Sequence, residues 1–503
     1  MLLGKRKTIF FKGAIIEAVG NPVSLIIGLI VIPFYFDFLN SSEFGIWLTL
    51  FEIISFFGLF YAGTDILIIQ VISKNFKGDL SNIRTQISNI FFLQLIIFIF
   101  ITFFQLLTYF HLSFFGINIQ ENNLNTLFFC IVFWFFLNNI NHILISIIAG
   151  KNNIALSSTC HLFTKISQQL FPLIFLYTGF ALNSFPFSYI TSSILIYLFL
   201  SFFVYKDLIR LISFNEISLT NLKKPFEFLI KMFLGRTGWY LINATDAIII
   251  SKFLSTSEVT TFVLTMKLCN VFKFLSSKII NLGFPSYVQL ISNKEYDKIT
   301  NVFYVIYFQS LRVGILLSLI IVIFNQIFVS NWVGIDKYGG LAISIISALI
   351  CFRESLIPIF TNIIHTTEDV KSFNIIVFIE SIMNVFLSII LISKYGIVGV
   401  AFATLITTCF ISTFYSVFKI KSILNIDFSK LSMITSIVVL KSLPSILIQI
   451  WGYSYIIYNF SWMKLFIVIF ASILVNIVFF EGFKFYKFRK LKFRKLIEKI
   501  FFE

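Results

Sequence analysis

The chain has 503 residues, 58% hydrophobic and only 12% charged, with 39 Lys and Arg against 23 Asp and Glu for a formal charge of +16. That balance excludes a soluble fold and points to a polytopic membrane protein. The four histidines and five cysteines fall in no metal-ligand spacing. No glycine-rich phosphate loop precedes a Lys-Ser or Lys-Thr pair, so ATP hydrolysis is not expected.

At about 20 apolar residues per crossing, about fourteen spanning segments are predicted. They lie at approximately 14–38, 44–72, 86–115, 125–149, 155–179, 185–206, 227–253, 258–291, 300–330, 340–366, 371–393, 396–418, 431–457 and 461–483. The first is too long for the apolar region of a signal peptide and reads as a retained helix. Connections are short, and the longest is expected from Asp207 to Phe226. None has room for a soluble catalytic domain, so the chain is read as a non-enzyme without a cofactor. Cys130, Cys160, Cys269, Cys351 and Cys409 all sit in apolar runs and read as inert. His142, His161 and His365 read as core or interface residues.

Basic residues set an expected orientation. Lys5, Arg6, Lys7 and Lys12 precede the first segment, Lys74, Lys77 and Arg84 follow the second, and Lys206, Arg210, Lys223 and Lys224 follow the sixth. Alternate connections, such as Asp37 to Glu43, contain none. Both termini are then expected in the cytoplasm. The basic tail after Glu481 is expected to lie as a short surface helix on anionic lipid. Charge of this kind is topology and membrane adhesion, and a nucleic-acid partner is not expected.

An internal repeat organises the chain. FLNSSEFGIWLT at Phe38–Thr49 is similar to FLSTSEVTTFVLT at Phe253–Thr265, and QVIS at Gln70–Ser73 to QLIS at Gln289–Ser292. The offset holds six helices, so the copies share one orientation. The expected division is 1–215 and 216–424 as two six-helix lobes around a central cavity, with 425–503 as two appended helices and the tail. The stretch from Pro225 to Leu254 opens the second copy. Arg236, Trp239, Tyr240, Asn243 and Asp246 recur in it at steps of three and four, which puts them on one helical face. Charges within a spanning helix are costly and should face protein or water.

Several elements carry a family resemblance: Pro33-Phe34-Tyr35 followed by Phe44-Gly45, Gly58-Leu59 with Gly63, Asp246 to Ile250, Pro285-Ser286, and the run Lys394 to Ala401 (KYGIVGVA). Over about residues 8–420 the chain resembles Wzx-type polysaccharide flippases of the multidrug/oligosaccharidyl-lipid/polysaccharide exporter superfamily. The sequence departs from the family pattern after Gly58, where Phe60-Tyr61 follow.

The resemblance implies a flippase in a bacterial inner membrane, working by alternating access. Its cargo would be an undecaprenyl-pyrophosphate-linked oligosaccharide for O-antigen or capsule assembly, and its partners membrane lipids and other polysaccharide-assembly proteins. Such a head group needs cations at membrane depth and hydrogen-bonding groups for hydroxyls. The cavity cations expected from the sequence are Arg236, Lys267, Lys278, Arg312 and Arg353. Trp239, Tyr240, Asn243, Asp246 and Asn270 supply polar and aromatic contacts, and Glu17 and Asp65 are candidates for ion coupling. Further polar groups in the first lobe are Asn21, Ser24, Glu52 and Lys165. The competing reading, a multidrug or cation antiporter of the same superfamily, would rest on Glu17, Glu52 and Asp65.

Overall fold

The structure is a computed structural model that describes residues 2–481, apart from 62, 75–79, 118–123, 282–283, 294, 368–369 and 425. The expected surface helix of the basic tail, residues 482–503, lies outside the described residues. Helices and short turns make up the whole of the described chain, without a strand. By contacts the chain divides into two compact units, Met1–Thr261 and Phe262–Glu503.

Unit 1 contains α1 (Leu2–Tyr35), α2 (Ser41–Phe56), α3 (Thr64–Lys74), α4 (Leu80–Phe110), α5 (Leu124–Gly150), α6 (Ile154–Tyr177), α7 (Ser184–Leu211) and α8 (Leu219–Phe253). The division falls inside α9 (Thr256–Thr265). In α1, Gly13 and Gly20 lie against Ile154 and Leu162 of α6, and a Cβ on Gly20 would come 2.5 Å from Leu162 Cδ2. Small residues at this spacing let two membrane helices approach closely. The α6 helix continues the layer onto α7, which packs on α5, and α5 packs on α3.

Two local features position the polar groups of unit 1. Asn40 and Glu43 form a reciprocal capping box at the start of α2. At its other end α2 tightens into a 3₁₀ turn at Phe57–Tyr61, the stretch where the sequence departs from the family pattern. Gly63 then takes φ +107°, with Met232 of α8 3.0 Å from where a Cβ would sit, and α3 begins. The span from Ser41 to Lys74 is therefore broken midway, and Asp65 stands in the first turn of a half-helix, where a carboxylate is favoured.

The connection between α7 and α8 is shorter than the expected Asp207–Phe226. Both helices extend into it and leave only residues 212–218, with a 3₁₀ turn at Phe214–Glu216. Side chains of α4 hold this segment: Ser88 accepts from the Ser213 amide at 2.8 Å and Asn89 from the Ser218 amide at 3.0 Å. Thr85 donates to Glu216 at 2.7 Å. Satisfying these backbone groups is what allows the chain to turn without a long polar loop.

Unit 2 continues with α10 (Lys267–Asn281), α11 (Phe284–Ser292), α12 (Tyr296–Trp332), α13 (Leu341–Glu354), α14 (Ile357–Ile364), α15 (Val370–Thr407), α16 (Phe414–Leu424), α17 (Phe428–Ile457) and α18 (Trp462–Glu481). The α12 helix packs on α13 and on α17, and α17 on α18. One core gathers Tyr287, Phe303, Phe360, Ile363 and Leu424. Inside α15, Gly396 of the KYGIVGVA run takes φ 57° and ψ −141°, which breaks the helix in two. A residue with a side chain would be strained there. Between α15 and α16 the residues Thr408–Thr413 form a π-helical stretch.

Ten helices of the described chain are long and apolar enough to cross a membrane, or eleven with the bent pair formed by α9 and the start of α10. One of the ten is the 53-residue stretch Ser372–Leu424 that Gly396 divides. The α6 and α8 helices, 24 and 35 residues long, have the length but are more polar. The result is an all-helical, multi-pass membrane protein. The five cysteines are free thiols: Cys160, Cys269 and Cys351 are buried, and Cys130 and Cys409 partly so.

Candidate functional site

The ionisable side chains of the spanning helices fall into separate groups in the two units. In unit 1 they form a face. Glu17 and Asn21 lie one turn apart on α1, opposite α6. Lys165 of α6 donates to Asn21 Oδ1 at 2.8 Å, and Ser158 donates to Glu17 Oε1 at 3.0 Å. His161, one turn before Lys165, lies 6.0 Å ring to ring from His142 of α5. Asp65 of α3 and Arg236 of α8 act electrostatically on His142, and Glu17, Asp65 and Lys165 on His161. Glu17, His161, Lys165 and Arg236 are exposed, and His142 and Asp65 half-buried. Charges at this depth that do not pack into protein need water or a ligand around them.

The rest of the predicted stripe on α8 divides. Tyr240 donates to the main-chain oxygen of Glu52 at 2.5 Å and reaches its Oε2 at 3.2 Å, with its ring against Phe56 at 5.7 Å. It ties α8 to α2 instead of facing the ionisable groups. Asp246 is buried. The side chains of Trp239 and Asn243 lie outside the described residues. The two similar segments, at Phe38–Thr49 and Phe253–Thr265, also meet. Ser42 and Thr256 share a hydroxyl hydrogen bond of 2.8 Å, and Thr260 donates to the Ser41 carbonyl at 2.7 Å.

In unit 2 Arg353, Glu380 and Arg312 are tied into the protein. Arg353, at the end of α13, pairs with Glu354 and donates from Nε to Thr413 at 2.8 Å and from Nη2 to Ser412 at 2.5 Å. Glu380 of α15, 2% exposed, accepts from the Ser412 amide at 2.8 Å. The π-helical stretch makes this possible, because its altered hydrogen-bonding turns the Ser412 amide and both hydroxyls toward the charges. Arg312 of α12 donates to Asn476 of α18 at 2.5 Å and lies 4.7 Å from the centroid of the Phe480 ring. The compensation its sequence neighbours lack therefore comes from α18. Lys267, half-buried at the bend into α10, makes no hydrogen bond or ion pair among the described residues, and Asn270 is exposed. The side chain of Lys278 lies outside the described residues.

Sequence reasoning named Glu17, Asp65 and Arg236 and read the imidazoles as core or interface residues, without bringing them to this face. A signal was present: His142 stands nine residues before Lys151 and His161 nine after Asn152, at the tight turn between α5 and α6. A helical hairpin puts such positions at one depth. Glu380 and its π-helical partner had no sequence signal.

No family model and no curated protein matches the sequence. Solved structures do. The lipid II flippase MurJ, in an inward closed conformation, matches with TM-score 0.69 at 18% identity, over 95% of this chain and 99% of that one. An inward-facing multidrug resistance transporter of the MATE family, MOP superfamily, matches with TM-score 0.62 at 14% identity, over 80% of this chain and 95% of that one. An outward-facing one matches with TM-score 0.53 at 13% identity, over 83% and 96%. At these identities the likeness is one of fold: the chain shares the architecture of these solved membrane proteins.

Proposed function

We propose that the chain is a flippase for a lipid-linked oligosaccharide. It would move an undecaprenyl-pyrophosphate-linked sugar repeat unit across a bacterial inner membrane by alternating access, for O-antigen or capsular polysaccharide assembly, with both termini cytoplasmic. The observation that carries this reading is the ionisable face of unit 1. Its two cations, two carboxylates, amide and two imidazoles offer donors for a pyrophosphate and both donors and acceptors for sugar hydroxyls. A site for cationic drugs would carry an acidic surplus, whereas here Glu17 and Asp65 are matched by Lys165 and Arg236. The fold shared with MurJ, a lipid II flippase, supports the same class of cargo. Within unit 2, Lys267 and Asn270 are proposed as head-group contacts. Arg312, Arg353 and Tyr240 are proposed to hold helices in place.

The test is translocation in vesicles containing the purified chain and a fluorescent lipid-pyrophosphate oligosaccharide. The expected result is movement of the lipid by the wild type and its loss in Arg236→Ala. Transport of a cationic dye such as ethidium, with no lipid movement, would replace this reading with that of a cation antiporter.

A further inference from the structure

The polar face of unit 1 has a charge balance that its two imidazoles decide. Six surrounding helices bear on the pair, and their groups are few. Glu17 comes from α1, Asp65 from α3, Lys165 from α6 itself and Arg236 from α8. The α2 helix packs on α5 with its Glu52 bound by Tyr240. The α7 helix, packed on both α5 and α6, contributes uncharged groups: the Ser192 hydroxyl on Ser167 and the Ser193 carbonyl on Asn141. The α4 helix likewise contributes an amide, Gln94 on Asn139. Two carboxylates therefore cancel two cations, and the face is formally neutral while His142 and His161 are neutral. A single proton on the pair makes it cationic. Imidazole rings with centroids 6.0 Å apart repel each other once both are charged, so the first proton is favoured over the second. His161 is exposed and His142 half-buried.

We propose that His142 and His161 form a proton-responsive anion subsite, in which one proton shared by the pair and an anionic head group bind cooperatively. The proposal rests on the reading of this face as part of the head-group site. Thermodynamic reciprocity makes the two events one equilibrium: a proton that favours the anion is itself held more tightly when the anion is present.

The experiment measures binding of 1,5-naphthalenedisulfonate to the full chain in nanodiscs by fluorescence. This probe keeps both charges across the range of histidine titration. Affinity is expected to rise about fivefold or more between about pH 7 and about pH 5, as one linked proton requires. The double variant His142→Asn, His161→Asn should bind equally weakly at both values. His161→Gln, a change at an exposed position that spares the packed α5, should lose most of the pH response with an unchanged thermal midpoint. His161→Lys, which fixes a charge there, should bind tightly at both values. Wild-type binding that is the same at both pH values overturns the proton-responsive subsite while leaving the anion site standing. Absence of binding at either pH overturns both.

Discussion

In unit 1 the ionisable groups Glu17, Asp65, His142, His161, Lys165 and Arg236 come from five helices, and four of the six are exposed. In unit 2 Arg353, Glu354 and Glu380 close on one another through Ser412 and Thr413 around a single π-helical stretch, with Glu380 buried. Both arrangements meet the cost of a charge at membrane depth. The second meets it with a buried network inside the protein, whereas in the first Glu17 and Lys165 keep polar partners in Ser158 and Asn21 while remaining exposed. The two units thus differ in how their charges are held.

The sharpest way to break this contrast is one arginine from each side. Arg353→Ala leaves Glu380 and the π-helical hydroxyls without their cation, and removing one partner of a buried pair costs about 3–5 kcal/mol. A large fall in the thermal midpoint and in membrane yield is expected. Arg236→Ala should leave both unchanged and lower lipid translocation about tenfold or more, with Arg236→Lys retaining part because charge survives while the bidentate fork is lost. The reverse pattern, a stable Arg353→Ala and an unstable Arg236→Ala, would end the distinction between the units.

Arg312 comes next, because its place in the contrast moved. Its sequence neighbours offer no carboxylate, which made it a candidate for cargo, yet it is held by Asn476 and the Phe480 ring. Losing a charge-assisted hydrogen bond and a cation–π contact is worth about 1.5–3 kcal/mol. Arg312→Ala is therefore expected to lower the midpoint measurably, and Asn476→Ala to lower it in the same direction. An unchanged midpoint with lost translocation would return Arg312 to the head-group site.

The case of Arg312 shows what could be read from the sequence and what could not. Helix content, the order of the spans and the break near Gly396 follow from hydropathy and backbone chemistry, which are local. Pairings over long separations do not. Asn476 lies 164 residues from Arg312, and the Tyr240 hydroxyl is bound 188 residues away at Glu52. Periodicity grouped Tyr240 with Arg236 on one face of its helix but gave no sign of Glu52, the neighbour that binds its hydroxyl. The π-helical stretch was equally hidden, because one extra residue in a turn leaves no mark on an apolar run of threonines and serines.

A smaller effect is expected at Gly63. Its φ of +107° and the approach of Met232 to 3.0 Å from a would-be Cβ both oppose a side chain. Gly63→Ala should cost about 1–2 kcal/mol in backbone strain, since only glycine enters this region freely. Because Asp65 follows two residues later, the variant should also weaken disulfonate binding without abolishing it. Normal binding would show that the break between α2 and α3 does not position the face.

The smallest effect, and the most specific, is at Tyr240. Replacement by Phe keeps the ring against Phe56 and removes only the hydroxyl, which donates to the Glu52 carbonyl at 2.5 Å and approaches its carboxylate at 3.2 Å. One intramolecular hydrogen bond is worth about 0.5–1.5 kcal/mol net. The loss should appear as a modest drop in thermal midpoint, with disulfonate affinity and its pH response retained, because the hydroxyl faces α2 and not the imidazoles. Glu52→Gln should reproduce little of that drop, since the main-chain oxygen still accepts. If Tyr240→Phe instead removed anion binding with the midpoint intact, the hydroxyl would be a head-group contact. The α8 helix would then belong with the cargo along its whole polar stripe, not only at Arg236.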